Sequence, residues 1–192
     1  MKKNILIIFG HPRKNSLCGS FADAYGMGAK SSRLNVRRID IADLKFNPIL
    51  YDKTDEKQLL EKHIKEAQKD VKWAEHIVFI FPTWWASMPA LLKGFMDRTF
   101  VSGFAYQFKE RKSSLPEKLL TGKTARLLIT MDSPPLYYRF IAKEPGYRMM
   151  KDSLGFMGIK TYKNYFGPVK TSEEKTIASW INSIHRMGAK GR

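Results

Sequence analysis

With 192 residues, 43% of them hydrophobic, the chain can build a real core and is too apolar for a disordered segment. Lysine and arginine outnumber aspartate and glutamate 34 to 18, a net charge of +16 that attracts anions in general: nucleotide cofactors, nucleic acid or an acidic membrane surface. No run approaches the ~20 apolar residues of a membrane-spanning helix, and the single cysteine, Cys18, excludes an internal disulfide and points to a cytoplasmic setting.

Met1 to Asn4 is basic and Ile5 to Phe9 apolar, but five apolar residues before Gly10-His11-Pro12-Arg13 are too few for a signal peptide. Asn4 to Phe9 (NILIIF) predicts a strand buried on both faces. Ser16 to Lys30 follows as a helix, with Leu17, Phe21, Ala24 and Tyr25 at helical spacing and Ser16 or Asn15 as its cap. Leu34 to Ile39 is a weaker second strand, Asp40 to Lys53 a loop with Asn47-Pro48, and Asp55 to Trp73 a long polar helix with a thin stripe of Leu59, Ile64, Ala67 and Val71. Ile77 to Phe81 (IVFIF) is a third strand ended by Pro82, and Met88-Pro89 opens a helix carrying Leu91, Leu92, Phe95 and Met96. Ala125 to Thr130, Met149 to Phe156, Ile159 to Phe166 and Ser172 to Met187 complete the series as strand, short helix, strand and amphipathic helix, the last capped by Thr171 or Ser172. Strands alternating with helices predict an α/β fold: a three-layer, doubly wound, five-stranded parallel sheet. With no repeat or linker, residues 1–192 are expected to form a single domain.

The basic residues are scattered singly or in pairs; only Lys109-Glu110-Arg111-Lys112 and Ala189-Lys190-Gly191-Arg192 form local clusters. A solvated basic surface is the plainer reading and a polyanion patch the alternative. No nucleic-acid motif accompanies the charge, so no nucleic-acid partner is expected. The four histidines show no paired ligand spacing and one cysteine cannot build a site, so no metal is expected.

In such a sheet, ligands bind beyond the carboxyl ends of the strands at the switch point. The loop Gly10 to Ser20 leads from the first strand into a helix N-terminus, where free N–H groups and the macrodipole favour an anion, and His11, Arg13, Asn15 and Ser16 add donors. This loop carries no G-x-G-x-x-G and no G-K-[ST] follows in it, which leaves a phosphate monoester or a pyrophosphate held end-on, or an ordinary turn capped by Ser16. Cys18 falls in the first helical turn, where the dipole lowers a thiol pKa; it is a candidate nucleophile, although C-x5-R is absent. After the third strand come Trp84 and Trp85, an aromatic wall suited to a flat heterocycle, with loop N–H groups for its polar edge; packing under the helix or at a subunit interface is the other reading.

Gly10 to Leu17 ([GA]-H-P-x-x-x-S-x), Phe81 to Arg98 (F-P-x-x-W-x-x-x-P-A-x-L-K-G-x-x-[DE]-R), Phe100 to Tyr106 and Phe46-Asn47-Pro48-Ile49 together resemble the flavodoxin-like NAD(P)H:quinone oxidoreductases and their relatives among flavin reductases and potassium-efflux accessory proteins. The resemblance covers nearly the whole chain. It implies a non-covalent flavin, FMN favoured over FAD because the chain is short, with NAD(P)H as co-substrate and a quinone or similar small-molecule electron acceptor reduced by ping-pong hydride transfer. His11, Asn15, Ser16, Leu17 and Cys18 match positions that hold the phosphate. Pro82, Thr83, Trp84, Trp85 and Ala86 match positions that line the isoalloxazine ring, with Met131 and Asp132 in the loop after the fourth strand. A homodimer with the site roofed by the partner is also implied. Where many members carry T-T-G-G, this chain has Thr130-Met131-Asp132-Ser133-Pro134-Pro135, whose Asp132 would oppose charge on a reduced ring. Tyr138 falls where some members place an active-site tyrosine, as a proton donor or substrate wall, while Glu144 replaces the histidine that accompanies it. The altered loop and basic surface leave a second implication open: a flavin-binding regulatory subunit of a cation-efflux system with little turnover of its own.

Overall fold

In the computed structural model, residues 2–51, 58–109 and 115–192 are described. The elements run β1 (Asn4–Phe9), α1 (Leu17–Ser31), β2 (Asn35–Asp40), a 3-10 turn (Ile41–Asp43), α2 (Lys62–Trp73), β3 (His76–Pro82), α3 (Ala90–Thr99), β4 (Tyr106–Gln107), β5 (Glu117–Lys118), β6 (Thr124–Thr130), α4 (Pro135–Phe140), α5 (Pro145–Phe156), β7 (Lys160–Phe166) and α6 (Glu174–Ala189). Five strands form a parallel sheet in the order β2-β1-β3-β6-β7; β4 and β5 make a separate antiparallel pair.

The near-continuous apolar runs of β1 and β3 are wholly buried because both faces of the sheet are covered. On one face, Ile5, Ile7, Val78, Ile80 and Leu128 pack against α1 and Ile184 of α6. On the other, Leu6, Ile8, Ile77, Phe79 and Leu127 pack against α2, α3 and α5 through Ile64, Val71, Leu92, Phe95 and Leu154. The expected three-layer, doubly wound, flavodoxin-like arrangement is the one found. Chain order reverses between β1 and β3, and that places the crevice at their carboxyl ends.

Part of the long motif after β3 serves this framework. Gly94 lies under Pro48, where a Cβ would stand 2.4 Å from the proline Cβ. Arg98 is completely buried and donates to the carbonyls of Asn47 (3.3 Å) and Leu59 (2.9 Å) and to the Glu61 carboxylate (2.7 Å). The Gly-x-x-Asp-Arg end of the block therefore fastens the segment after β2 onto α3.

Several boundaries differ from the periodicity. The helix expected over Asp55 to Trp73 begins at Lys62, and Leu59 is 88% exposed rather than part of its stripe; residues 55–57 lie outside those described, as do 110–112 of the basic cluster. The apolar contacts of that helix start only at Ile64, so packing, not the longer polar pattern, sets its length. The helix expected from Met149 starts at Pro145, and α4 and the β4–β5 pair were not expected from pattern. Neither Thr171 nor Ser172 caps α6: the N-cap is Glu173, and the Ser172 hydroxyl donates to Pro168 O at 2.6 Å instead.

Candidate functional site

The carboxyl ends of β1, β3, β6 and β7 lie together, with Phe9 beside Ile80, Pro82 beside Thr130, and Thr130 beside Phe166, so the loops leaving them share one rim. The first loop turns tightly, Gly10 N–H donating to Ile80 O at 2.8 Å. Ser16, in extended conformation, caps α1 by accepting the Gly19 N–H at 3.2 Å while its hydroxyl donates to Arg13 O at 2.9 Å. No hydrogen bond among the described residues engages the amides of Leu17 and Cys18, which stand free at the positive end of the helix. His11 is buried, and its Nδ1 accepts the Arg13 N–H at 2.9 Å. Burial, aided by the Arg13 charge, pushes its pKa below the ordinary histidine value, which keeps the ring neutral at neutral pH.

The second loop forms a two-residue hairpin turn. Trp84 and Ser87 exchange two backbone hydrogen bonds of 2.9 Å, and Trp85 (φ 48°) and Ala86 (φ 62°) both take left-handed backbone, normally the place of glycine or asparagine. Below it, Gly146 of α5 lets the turn sit close: a Cβ there would lie 3.1 Å from Ala86 O and 3.2 Å from Ser87 Cα. The His11 ring meets Trp84 edge-on at 5.6 Å and stacks over Phe9 at 6.3 Å. The anion loop and the tryptophan loop are thereby joined.

The resulting cleft, of about 240 Å3, is lined by His11, Arg13, Ser16, Leu17 and Cys18 from the first loop, Pro82, Thr83 and Trp84 from the second, Thr130, Met131 and Asp132 from the third, and Val169. Of the residues singled out from sequence, it gathers His11, Ser16, Leu17, Cys18, Pro82, Thr83, Trp84, Met131 and Asp132. Asn15, Trp85 and Ala86 do not line it: Asn15 is exposed and Trp85 stands 101% exposed at the tip of its turn. The amides of Thr83, Trp84 and Ser87 are taken within the protein, by Thr130 O (2.7 Å), Ser87 O and Trp84 O, and do not face a ring edge as expected. Thr130 and Val169 went unmarked in the sequence. Thr130 is the last residue of a strand ending on this rim, a signal that was present; Val169 arrives through its N–H to Met131 O at 2.9 Å, a contact no local pattern announces.

Two chemical expectations change. The Cys18 thiol lies 3.2 Å from the Thr130 hydroxyl, and burial drives its pKa up to about 12, overwhelming that contact and any help from the helix dipole; it is not a nucleophile. Asp132 is exposed, but one carboxylate oxygen accepts the Lys170 N–H at 3.1 Å, which turns it to the loop after β7.

A family model for the flavodoxin-like fold matches residues 3–186. The chain belongs to the flavodoxin-like NAD(P)H:quinone oxidoreductase family. It is 27% identical over 185 residues to an uncharacterized NAD(P)H oxidoreductase of Haemophilus influenzae, covering 93% of this chain and 90% of that protein. It is 35% identical over 109 residues to the uncharacterized NAD(P)H oxidoreductase YcaK of Escherichia coli, a match spanning 54% of this chain and 56% of the other. A Streptococcus mutans protein, Smu.1420, superposes with a TM-score of 0.83 at 26% identity over 97% of this chain and 99% of its own.

Tyr138 has an inward setting. It is 3% exposed, its hydroxyl accepts the Gly146 N–H at 3.0 Å, and its ring meets Tyr165 edge-on at 5.3 Å. Burial, with the nearby Glu144 carboxylate, raises its pKa against the opposing pull of the backbone amides and Thr83. Glu144 itself adopts left-handed backbone at the start of α5 and is paired with Lys163 and, at 3.8 Å, Arg139. The pair Tyr138–Gly146 thus lies beneath the Trp84–Ser87 turn, one layer from the cleft.

Proposed function

We propose that the cleft holds FMN and that the protein carries two electrons from NAD(P)H to quinones or similar flat acceptors. One observation carries this reading: the capped start of α1 and Trp84 line the same cleft, bridged by His11. The donor set suits the guest. The free Leu17 and Cys18 amides, held open by the Ser16 cap, and the Arg13 side chain offer an anion grip for one phosphate. Pro82, Thr83, Trp84 and Met131 form a wall for one ring, with Asp132 at its edge turned to the loop after β7. A single grip beside a single wall favours FMN over FAD.

Bound there, the flavin would supply the redox chemistry itself, alternating between NAD(P)H and the acceptor in a ping-pong cycle. The chain's own part is orientation. Neutral His11 fixes the Trp84 edge without adding charge beside the ring, and Arg13 supplies positive charge at the phosphate end. Tyr138 holds the turn through Gly146, whether or not it also meets a substrate. A homodimer fits the same surface, since Trp85 projects freely at the rim and would be covered by a partner.

The test is to purify the protein, add FMN or FAD, and follow flavin absorbance and NAD(P)H oxidation with several quinones. A protein that takes up neither flavin refutes the reading. The apolar exposure of Leu136, Tyr137, Phe140 and Ile141 on and after α4 favours a second one: a flavin-binding subunit acting through a partner such as a cation-efflux system. Flavin uptake without quinone turnover would select it.

A further inference from the structure

At the opposite end of the sheet the face turned to α1 and α6 changes character. Strand alternation sets Lys3 in line with Ile5 and Ile7, His76 with Val78 and Ile80, Thr124 and Arg126 with Leu128, and Tyr162 with Phe166. Where the helices stop covering this face, Lys3, His76, Thr124, Arg126 and Tyr162, with Met187 and Arg192 from the end of α6, enclose a cleft of about 470 Å3. Among the described residues, no acidic side chain lines it. The nearby Glu75 is committed elsewhere, accepting the Asn4 N–H at 2.9 Å and drawn to Lys123.

The chain's own bonds leave this cluster incomplete. Lys3 donates to Gly191 O at 2.6 Å, a cation on the carbonyl end of α6 that needs no further explanation. Arg126 donates through Nη1 to Asn164 at 2.5 Å, yet its Nε is buried without a partner. His76 is 1% exposed; its Nδ1 meets the Thr124 hydroxyl at 2.7 Å and its Nε2 is buried without a partner. Buried polar atoms without hydrogen bonds destabilise the free chain, and clustered like charges add to that. A site serving only packing would hold apolar side chains.

We propose that this cleft is a binding site for a phosphate group, of the phosphomonoester class, with Arg126, His76, Lys3 and Arg192 as its donors. A tetrahedral dianion matches the guanidinium fork and the orphaned imidazole nitrogen together, and neutralises cations that no carboxylate meets. The Thr124 hydroxyl has two acceptors in reach, Nδ1 at 2.7 Å and Glu75 O at 3.4 Å; when it donates to the nearer, Nε2 carries the proton and becomes the donor an anion requires. Burial, with Lys3 and Arg126, pushes the free His76 pKa down to about 3, so the ring is neutral until an anion arrives. Tyr162 and Met187 give an apolar wall, and the volume admits a phosphorylated small molecule rather than a bare ion alone. The seven-residue strands β3 and β6 place the site about 20 Å from the cofactor cleft, so it is separate from the flavin phosphate grip and stands whether or not the cleft takes FMN.

The experiment uses the full chain with 15N-labelled histidine, titrated at constant ionic strength with inorganic phosphate and, separately, with AMP. A saturable shift of the His76 ring resonances with Kd of about 1 mM or tighter is expected, weakened about tenfold or more in Arg126→Gln and in Arg192→Gln. The second variant changes an exposed side chain and keeps the test valid should the first fail to fold. AMP binding more tightly than phosphate identifies an esterified ligand; equal affinity identifies inorganic phosphate as the occupant. No saturable shift at His76, a shift at His11 alone, or binding undiminished in both variants overturns the proposal.

Discussion

Replacing Tyr138 by phenylalanine separates a structural tie from a proton donor. The ring, and with it the edge-on contact to Tyr165 at 5.3 Å, is kept; what goes is the acceptor of the Gly146 N–H at 3.0 Å. Gly146 is buried, so that N–H loses its partner where water does not replace it, a cost of about 1–3 kcal/mol. For a chain of 192 residues, 1 kcal/mol moves the melting temperature by about 2–4 °C, so the variant should melt about 2–12 °C lower. Because Gly146 lies against Ala86 and Ser87, loosening it also frees the turn beside the cleft, and flavin affinity should fall with stability while turnover at saturating flavin changes little. Thermal unfolding, a flavin titration and steady-state turnover measure the three quantities. A melting temperature within about 1 °C of the parent, together with a loss of kcat of about 100-fold or more, would refute the tie and make Tyr138 a general acid.

Ser16→Ala removes the acceptor of the Gly19 N–H and should cost about 1 kcal/mol of stability while weakening flavin binding; an unchanged flavin Kd by fluorescence titration would place the phosphate elsewhere. The Cys18 thiol, with its pKa near 12, is ionised in about one molecule in ten thousand at pH 8, so a thiol reagent should label it only as fast as the protein opens, and labelling at the rate of a free thiol contradicts its burial. His76, protonated in the unfolded chain below pH 6.5 and in the native chain only near pH 3, removes stability as pH falls between these values, at up to about 1.4 kcal/mol per pH unit. From pH 7 to 5 this amounts to about 2 kcal/mol in low-phosphate buffer, and urea unfolding of His76→Gln should show a correspondingly flatter dependence.

The sheet was legible because β1 and β3 are uninterrupted apolar runs, a pattern that only a strand covered on both faces tolerates. The start of α1 was legible for a local reason too: Ser16 precedes an apolar-periodic segment and does cap it. The failures share a different cause. Cys18 sits in the helical turn that favours a thiolate, but burial under elements distant in sequence decides its fate, against the helix dipole and the Thr130 hydroxyl 112 residues away. Trp85 is adjacent to Trp84, yet a turn with two left-handed residues sends one ring to the cleft and the other to solvent. Gly94 and Arg98 belong to the block that signals the cofactor loop, and they hold Pro48 and Asn47 instead. Spacing locates a loop; which side chain faces inward depends on partners distant in sequence.

The same turn shows how the site is held. Left-handed backbone at Trp85 and Ala86 costs about 1–2 kcal/mol per residue, and glycine at either position would relax it. What opposes this strain is local and asymmetric: two hydrogen bonds close the turn from within, His11 presses on Trp84 from the α1 side, and Gly146 with Tyr138 supports Ala86 from the α5 side. Among the described residues the outer side has no such support, since Trp85 is bare and the apolar side chains Leu136, Tyr137 and Phe140 of α4 are exposed. A rim rigid toward the cleft and open toward solvent suits a ring that must be held on one face and reached on the other by two successive flat partners. Strain here fixes where Trp84 stands, and the uncovered face leaves room for what approaches it.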